Sequence, residues 1–220
     1  MTIKKILIAT LITLTWINFT SAQNISFIAR TNLSIGTEYQ NIDYNGGNLL
    51  YSPGGGIGIE LGLQVPLVKG FAIQSTLGYQ QNLALQAESV NGVSNRSSVS
   101  FNRKLISLGL SKGFKLSDGT IKSLQLGVGS NLNFPGTLKR IENDERLGES
   151  NYNSNIGLYF EIALRIAISE GMYLDPAIRY RQLDFSVDSF SDGPTTDLPG
   201  YLQALNANGI ELGVTFVKEL

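Results

Sequence analysis

The chain has 220 residues, a formal net charge of −1, 16% charged residues and neither cysteine nor histidine. Without cysteine there is no disulfide framework and no thiolate metal site. Without histidine there is no imidazole base for a lipase, deacylase or omptin-like protease, and no imidazole ligand for haem or zinc. The charge balance gives no support for a nucleic-acid partner, and the charged fraction lies well below the roughly 25% of soluble domains.

Residues 1–22 read as a secretory signal. Lys4 and Lys5 form a basic start, residues 6–16 are apolar apart from threonines, and Thr20-Ser21-Ala22 is a small-residue cleavage site. The apolar stretch is shorter than the roughly 20 residues of a spanning helix. No cysteine follows the site, so no lipid anchor is expected, and the mature chain is expected to begin at Gln23. Loss of Lys4 and Lys5 takes the charge to about −3. Residues 23–220 show one composition regime and no linker, which reads as one domain. No part of them approaches roughly 18 continuous apolar residues. A chain sent to the envelope without a helical span is expected to cross it as a closed barrel, where every backbone group is paired.

Eight segments alternate with period two, the signature of strands with one apolar face. The first sets Phe27, Ala29, Thr31, Leu33 and Ile35 against Ile28, Arg30, Asn32, Ser34 and Gly36. In the second, Ile57, Ile59, Leu61, Leu63 and Val65 oppose Gly58, Glu60, Gly62 and Gln64; the Gly54-Gly55-Gly56-Ile57-Gly58 run reads as a flexible lead-in, since its glycines do not complete Gly-x-Gly-x-x-Gly and no helix pattern follows. The third runs through Phe71, Ile73, Leu77 and Tyr79, with Gln74, Thr76, Gly78 and Gln80 opposite. The fourth offers only Ile106, Leu108 and Leu110 between Lys104 and Lys112. Leu124, Leu126, Val128 and Leu132 mark the fifth. The sixth, residues 156–168, is the cleanest, with Gly157, Tyr159, Glu161, Ala163, Arg165 and Ala167 on its polar side. Asp175, Ala177, Arg179 and Arg181 line the seventh, and Gly209, Glu211, Gly213 and Thr215 the last.

Connections alternate between short (65–70, 117–120 with its Asp-Gly turn signal, and 169–171) and long and polar (40–53, 87–98, 135–152 and 186–206). This asymmetry predicts an eight-stranded antiparallel up-and-down transmembrane β-barrel with short turns and both termini in the periplasm. A soluble lipocalin-like barrel would alternate equally, with its apolar face inward. The glycines on the polar face favour the inverted arrangement, because inside a narrow barrel they make room for long side chains. Aromatic residues near segment ends, Phe27, Phe71, Phe114 and Phe216 at one rim and Tyr39, Tyr79 and Tyr180 at the other, fit an interfacial belt.

The signal, the Gly-x-Glu-Leu-Gly-Leu-Gln strand at residues 58–64 and the terminal strand at 209–220 resemble the single-domain outer-membrane barrels of the PorT-like and OmpX-like type, often labelled porin family. That resemblance implies a bacterial outer-membrane location and, through PorT, a role as accessory of a secretion machine.

The polar face carries Arg30, Glu60, Glu161, Arg165, Asp175, Arg179, Arg181 and Glu211. Four bases and four acids in one lumen are expected to pair, since unpaired buried charges are costly. The leading reading is an ionic plug that stiffens the barrel. A narrow polar pathway or ligand pocket comes next, and acid–base catalysis by two carboxylates last. No cofactor is expected. Asp188, Asp192 and Gly193 break the EF-hand pattern and leave at most a weak surface cation site with Asp184 and Asp197. The mixed-charge run 138–149 reads as a solvated loop with a short helix, or as a contact for lipopolysaccharide or a protein partner. The function expected is a non-enzymatic barrel for envelope stabilisation or binding, in contact with outer-membrane lipid; the alternatives are a narrow porin-type channel and a secretion accessory.

Overall fold

The computed structural model describes residues 25–44, 47–90, 93–116, 119–142, 145–191 and 200–220. The expected signal segment, Asp118 of the Asp-Gly turn, and Asp192, Gly193 and Asp197 lie outside them. The alternating segments form strands, which in chain order are β1 (Ser26–Gly36), β2 (Gln40–Tyr44), β3 (Gly47–Tyr51), β4 (Gly56–Pro66), β5 (Phe71–Val90), β6 (Val93–Lys115) and β7 (Ile121–Pro135). They continue with β8 (Leu138–Glu142), β9 (Glu145–Tyr152), β10 (Asn155–Ser169), β11 (Met172–Gln182), β12 (Asp184–Phe190), β13 (Ala204–Asn206) and β14 (Gly209–Glu219).

Eight of these close a barrel. The antiparallel ladder runs β1–β4–β5–β6–β7–β10–β11–β14 and returns to β1, where Ser26 faces Glu219 and Gly36 faces Gly209 without a register break. Closure leaves no edge among the barrel strands. The two ends of the described chain meet at the short-turn rim, where Leu220 donates its N–H to the carbonyl of Ile25 at 2.8 Å. The short turns use left-handed residues, Lys69 (φ 58°) before β5 and Gly171 (φ 65°) between β10 and β11.

The faces are inverted relative to a soluble barrel. Leu77 is 65% exposed on the outer wall, whereas Glu60 and Arg179 are 2% and 3% exposed inside. Glycines make this interior possible. A β-carbon at Gly78 would meet Glu60 Cγ at 2.8 Å, and one at Gly58 would meet Asn32 Oδ1 at 2.6 Å. The Gly54 segment is close-packed rather than a flexible lead-in, since a β-carbon at Gly54 would stand 2.0 Å from the carbonyl oxygen of Asn208.

The fourth segment, short in sequence, is the longest strand: β6 has 23 residues and pairs with all 20 of β5. Its outer half follows a serine- and asparagine-rich stretch that carries little apolar alternation, and pairing with β5 extends it. The described residues of the long connections likewise include strands. After Pro135 ends its pairing with Arg103, Gly136 bonds Asn102, and β8 resumes along the same edge of β6 with Ser100 opposite Lys139. β9, β12 and β13 then add in order. The described residues of 138–149 therefore hold strand β8 and the start of β9 rather than the expected loop with a short helix, and Leu138 is fully buried against the added sheet.

This added sheet encloses a second core at the long-loop end. Leu49, Tyr51, Val99, Phe101, Leu138, Tyr152, Leu183, Phe185, Leu202, Leu205 and Ala207 pack together there. Phe101 meets Tyr152 and Phe185 edge-on at centroid distances of 5.9 and 5.7 Å, a favoured aromatic geometry. Tyr152 donates its hydroxyl hydrogen to the carbonyl of Leu202 at 2.9 Å, joining β9 to the helical turn Gly200–Gln203.

Candidate functional site: the charged lumen

All eight charged residues expected on the polar face enter the lumen network. At its centre is a closed ring of ion pairs. Arg30 bridges Glu161 at 2.8 Å and Glu60 at 3.7 Å, and Arg179 bridges the same two carboxylates at 2.9 Å each. Strand registry builds the ring, because Arg30 faces Glu60 across β1–β4 and Glu161 faces Arg179 across β10–β11. Polar neighbours take up remaining valences: Arg30 Nε donates to Thr215 Oγ1 at 2.8 Å, and Thr76 Oγ1 donates to Glu60 Oε2 at 2.7 Å. All four members of the ring are buried. Buried charges of this kind are tolerable only when paired and hydrogen-bonded, as they are here.

Toward the short-turn end, Arg165 forms a second pair with Asp175 at 2.7 Å and donates to Gln64 Oε1 at 3.1 Å. It lies where the β10–β11 ladder skips from Ala163–Ala177 to Ile166–Leu174, beside Pro176, which has no N–H to give. The ion pair thus spans a weak place in the wall. Below it opens a cavity of about 660 Å³ lined by Gln64, Lys122, Arg165, Tyr173 and Glu219 among others. Toward the long-loop end, Glu211 receives Arg181 in close contact, and Arg179 stands 3.7 Å from its other oxygen.

Two further lumen contacts do not follow from the pattern of charge in the sequence. Arg103, 1% exposed, falls one residue before the fourth segment, and only the added length of β6 places it inside. Tyr159 belongs to the polar face by alternation, but its role lies in its ring, which covers Arg179 with the guanidinium carbon 4.2 Å from the centroid, a cation–π contact.

Matched charge crosses the lumen. The ring spans it from β1 and β4 to β10 and β11, and each of its carboxylates faces two guanidinium groups. No group of three or more His, Cys, Asp or Glu residues suited to a metal ion exists among the described residues. Asp184 and Asp188 are exposed on β12; the rest of the suggested cation loop lies outside the described residues. The cap adds burial at the second end, and burial pushes the Tyr51 hydroxyl well above its ordinary value of 10.0, helped by Tyr152 and opposed by Arg103.

No family model matches the chain, and no curated protein matches it in sequence. Solved structures do. The solid-state NMR structure of outer membrane protein AlkL in lipid bilayers is similar, with 18% identity, TM-score 0.49, and 91% of this chain and 93% of that one covered. Neisserial surface protein A has 11% identity, TM-score 0.47 and coverage of 89% and 97%. A major outer membrane protein from Thermus thermophilus has 13% identity, TM-score 0.47 and coverage of 89% and 99%.

Proposed function

We propose that the protein is an integral barrel of the bacterial outer membrane that neither catalyses a reaction nor conducts solutes, and that holds a folded cap outside the membrane for envelope stabilisation or binding. The observation that carries this reading is the closed Arg30–Glu161–Arg179–Glu60 ring across the lumen. An eight-stranded barrel is just wide enough for side chains to fill, and these four fill it with matched charge. An outward face of Ile57, Leu77, Ile106, Ile156 and Ile178, each at least 43% exposed, suits hydrocarbon on a closed barrel. The short-turn rim with both chain ends is then periplasmic, and the cap faces lipopolysaccharide or a protein partner.

The non-enzymatic reading is supported by the lack of an imidazole base and by the engagement of Glu60 and Glu161 with arginine, which leaves neither carboxylate poised as a general base. Reconstitution into planar bilayers tests the plug. The expected record shows no discrete conductance. Unitary, salt-dependent steps that change when Arg165 or Arg179 is neutralised would instead make the protein a narrow pore. Membrane fractionation with a heat-modifiability gel tests the location; a soluble protein without a mobility shift would overturn it.

A further inference from the structure

Among the described residues the charges of the lumen do not balance. Arg30, Arg103, Arg165, Arg179 and Arg181 face Glu60, Glu161, Asp175 and Glu211, and the unmatched member is Arg103. Among the described residues no carboxylate lies within ion-pair distance of it. Its Nε and Nη2 donate to Gln80 Oε1 at 3.2 and 2.5 Å. Arg181 Nη1 donates to the same oxygen at 2.9 Å. Two guanidinium groups therefore converge on one neutral amide oxygen, where an anion would be the natural centre.

Arg103 also keeps an unused donor. Arg181 Nε lacks a hydrogen-bond partner, as does Oε2 of the Glu211 with which that arginine pairs, whereas Arg103 Nη1 is buried without one. So is the hydroxyl of Tyr51, which enters from the cap and is close enough to Arg103 to couple with it electrostatically. Arg103, Arg181, Gln80 and Tyr51 are each no more than 3% exposed. Glu60 acts on Arg103 only from beyond ion-pair distance, a buried cation without a close counter-ion is strongly unfavourable, and unpartnered N–H and O–H groups add to the cost. Water can satisfy the donors but cannot neutralise the charge.

We propose that a small monovalent anion, a halide or the carboxylate of a short acid, sits beside Arg103 Nη1 and Tyr51 Oη as the missing counter-ion at the junction of lumen and cap. The excess of one positive charge sets the valence. The burial of every surrounding residue sets the size and makes exchange depend on opening of the cap. The site stands whether or not the lumen conducts.

Thermal unfolding of the full barrel in detergent tests it, at fixed ionic strength in sodium bromide, chloride or formate against sodium gluconate, whose anion is too large for the site. The wild type is expected to gain roughly 2–4 °C in the small anions, saturating with concentration. Gln80→Glu puts a carboxylate where the two guanidinium groups meet, so it should fold and lose that response. Arg103→Gln should lose it too. Crystals grown in bromide should show an anomalous peak beside Arg103. A response to formate but not bromide would identify a carboxylate ligand within the same proposal. Equal midpoints in bromide and gluconate for the wild type, or the same response in Gln80→Glu, would overturn it.

Discussion

The hydroxyl of Tyr159 occupies the space a side chain at Gly109 would need: a β-carbon there would stand 1.9 Å from the phenolic oxygen. Gly129, directly opposite Gly109 on β7, holds the ring itself, since its β-carbon would meet Tyr159 Cζ at 2.5 Å and the Leu108 carbonyl oxygen at 2.4 Å. The glycine pair thereby fixes the ring that covers Arg179.

Gly109→Ala should destabilise the barrel by about 1–3 kcal/mol through overpacking. Adding Tyr159→Phe removes the clashing oxygen and should restore part of that loss. Gly129→Ala should not be restored by the same change, because its clash is with ring carbon and backbone. Urea unfolding in lipid vesicles, read as the folded fraction on unheated gels, measures all three. Equal recovery in both backgrounds would show that the ring sits elsewhere.

The ion-pair ring makes a prediction of contrast. Glu161 accepts from Arg30 Nη2 and Arg179 Nε, each at 3.0 Å, so Glu161→Gln leaves two buried cations sharing Glu60. Breaking a buried pair from one side costs about 3–5 kcal/mol. Lys139 and Glu149 form a longer pair at 3.7 Å, with the lysine side chain 54% exposed, and Lys139→Ala should cost at most about 1 kcal/mol. The same unfolding assay compares them. Similar losses would mean that the lumen is wetter than its burial indicates.

The lumen network is legible in the sequence because each member stands at an alternating position of a strand with a strongly apolar opposite face. Registry does the rest, by placing Arg30 beside Glu60 and Glu161 beside Arg179. The cap is not legible. Leu138 is followed by charged residues, and Leu202 and Leu205 lie in a stretch broken by polar residues. None of them shows a local period, and their burial comes from strands far apart in the chain. Arg103 is hidden for the same reason, since the strand that carries it inward is extended by its partner β5 rather than by its own pattern.

Cap and barrel are separate cores, which a local mutation should reveal. Leu138 and Leu202 are fully buried in the cap and absent from the lumen. Truncating either to alanine should cost about 2–5 kcal/mol of local stability. The expected result is faster proteolysis or hydrogen exchange in β8, β9 and β12, with an unchanged heat-dependent gel shift for the barrel. Loss of the gel shift together with the cap would mean that the two fold as one unit.

Alkaline pH offers a route to the cap without mutation. Tyr51 and Tyr152 both have their hydroxyls raised, chiefly because burial disfavours the phenolate. In the unfolded cap they would titrate near the ordinary value of 10.0. A folded group that holds its proton above that point gives stability that is complete below pH 10 and declines as the pH climbs from there toward the folded value. The phenolate absorbance that Tyr152→Phe removes should therefore appear only well above pH 10 and coincide with new protease sites in β3 and β9. Tyr152→Phe should also, by removing the 2.9 Å bond to Leu202, lower cap stability at neutral pH by about 1 kcal/mol. If that absorbance appeared near pH 10 instead, solvent would already reach the cap core.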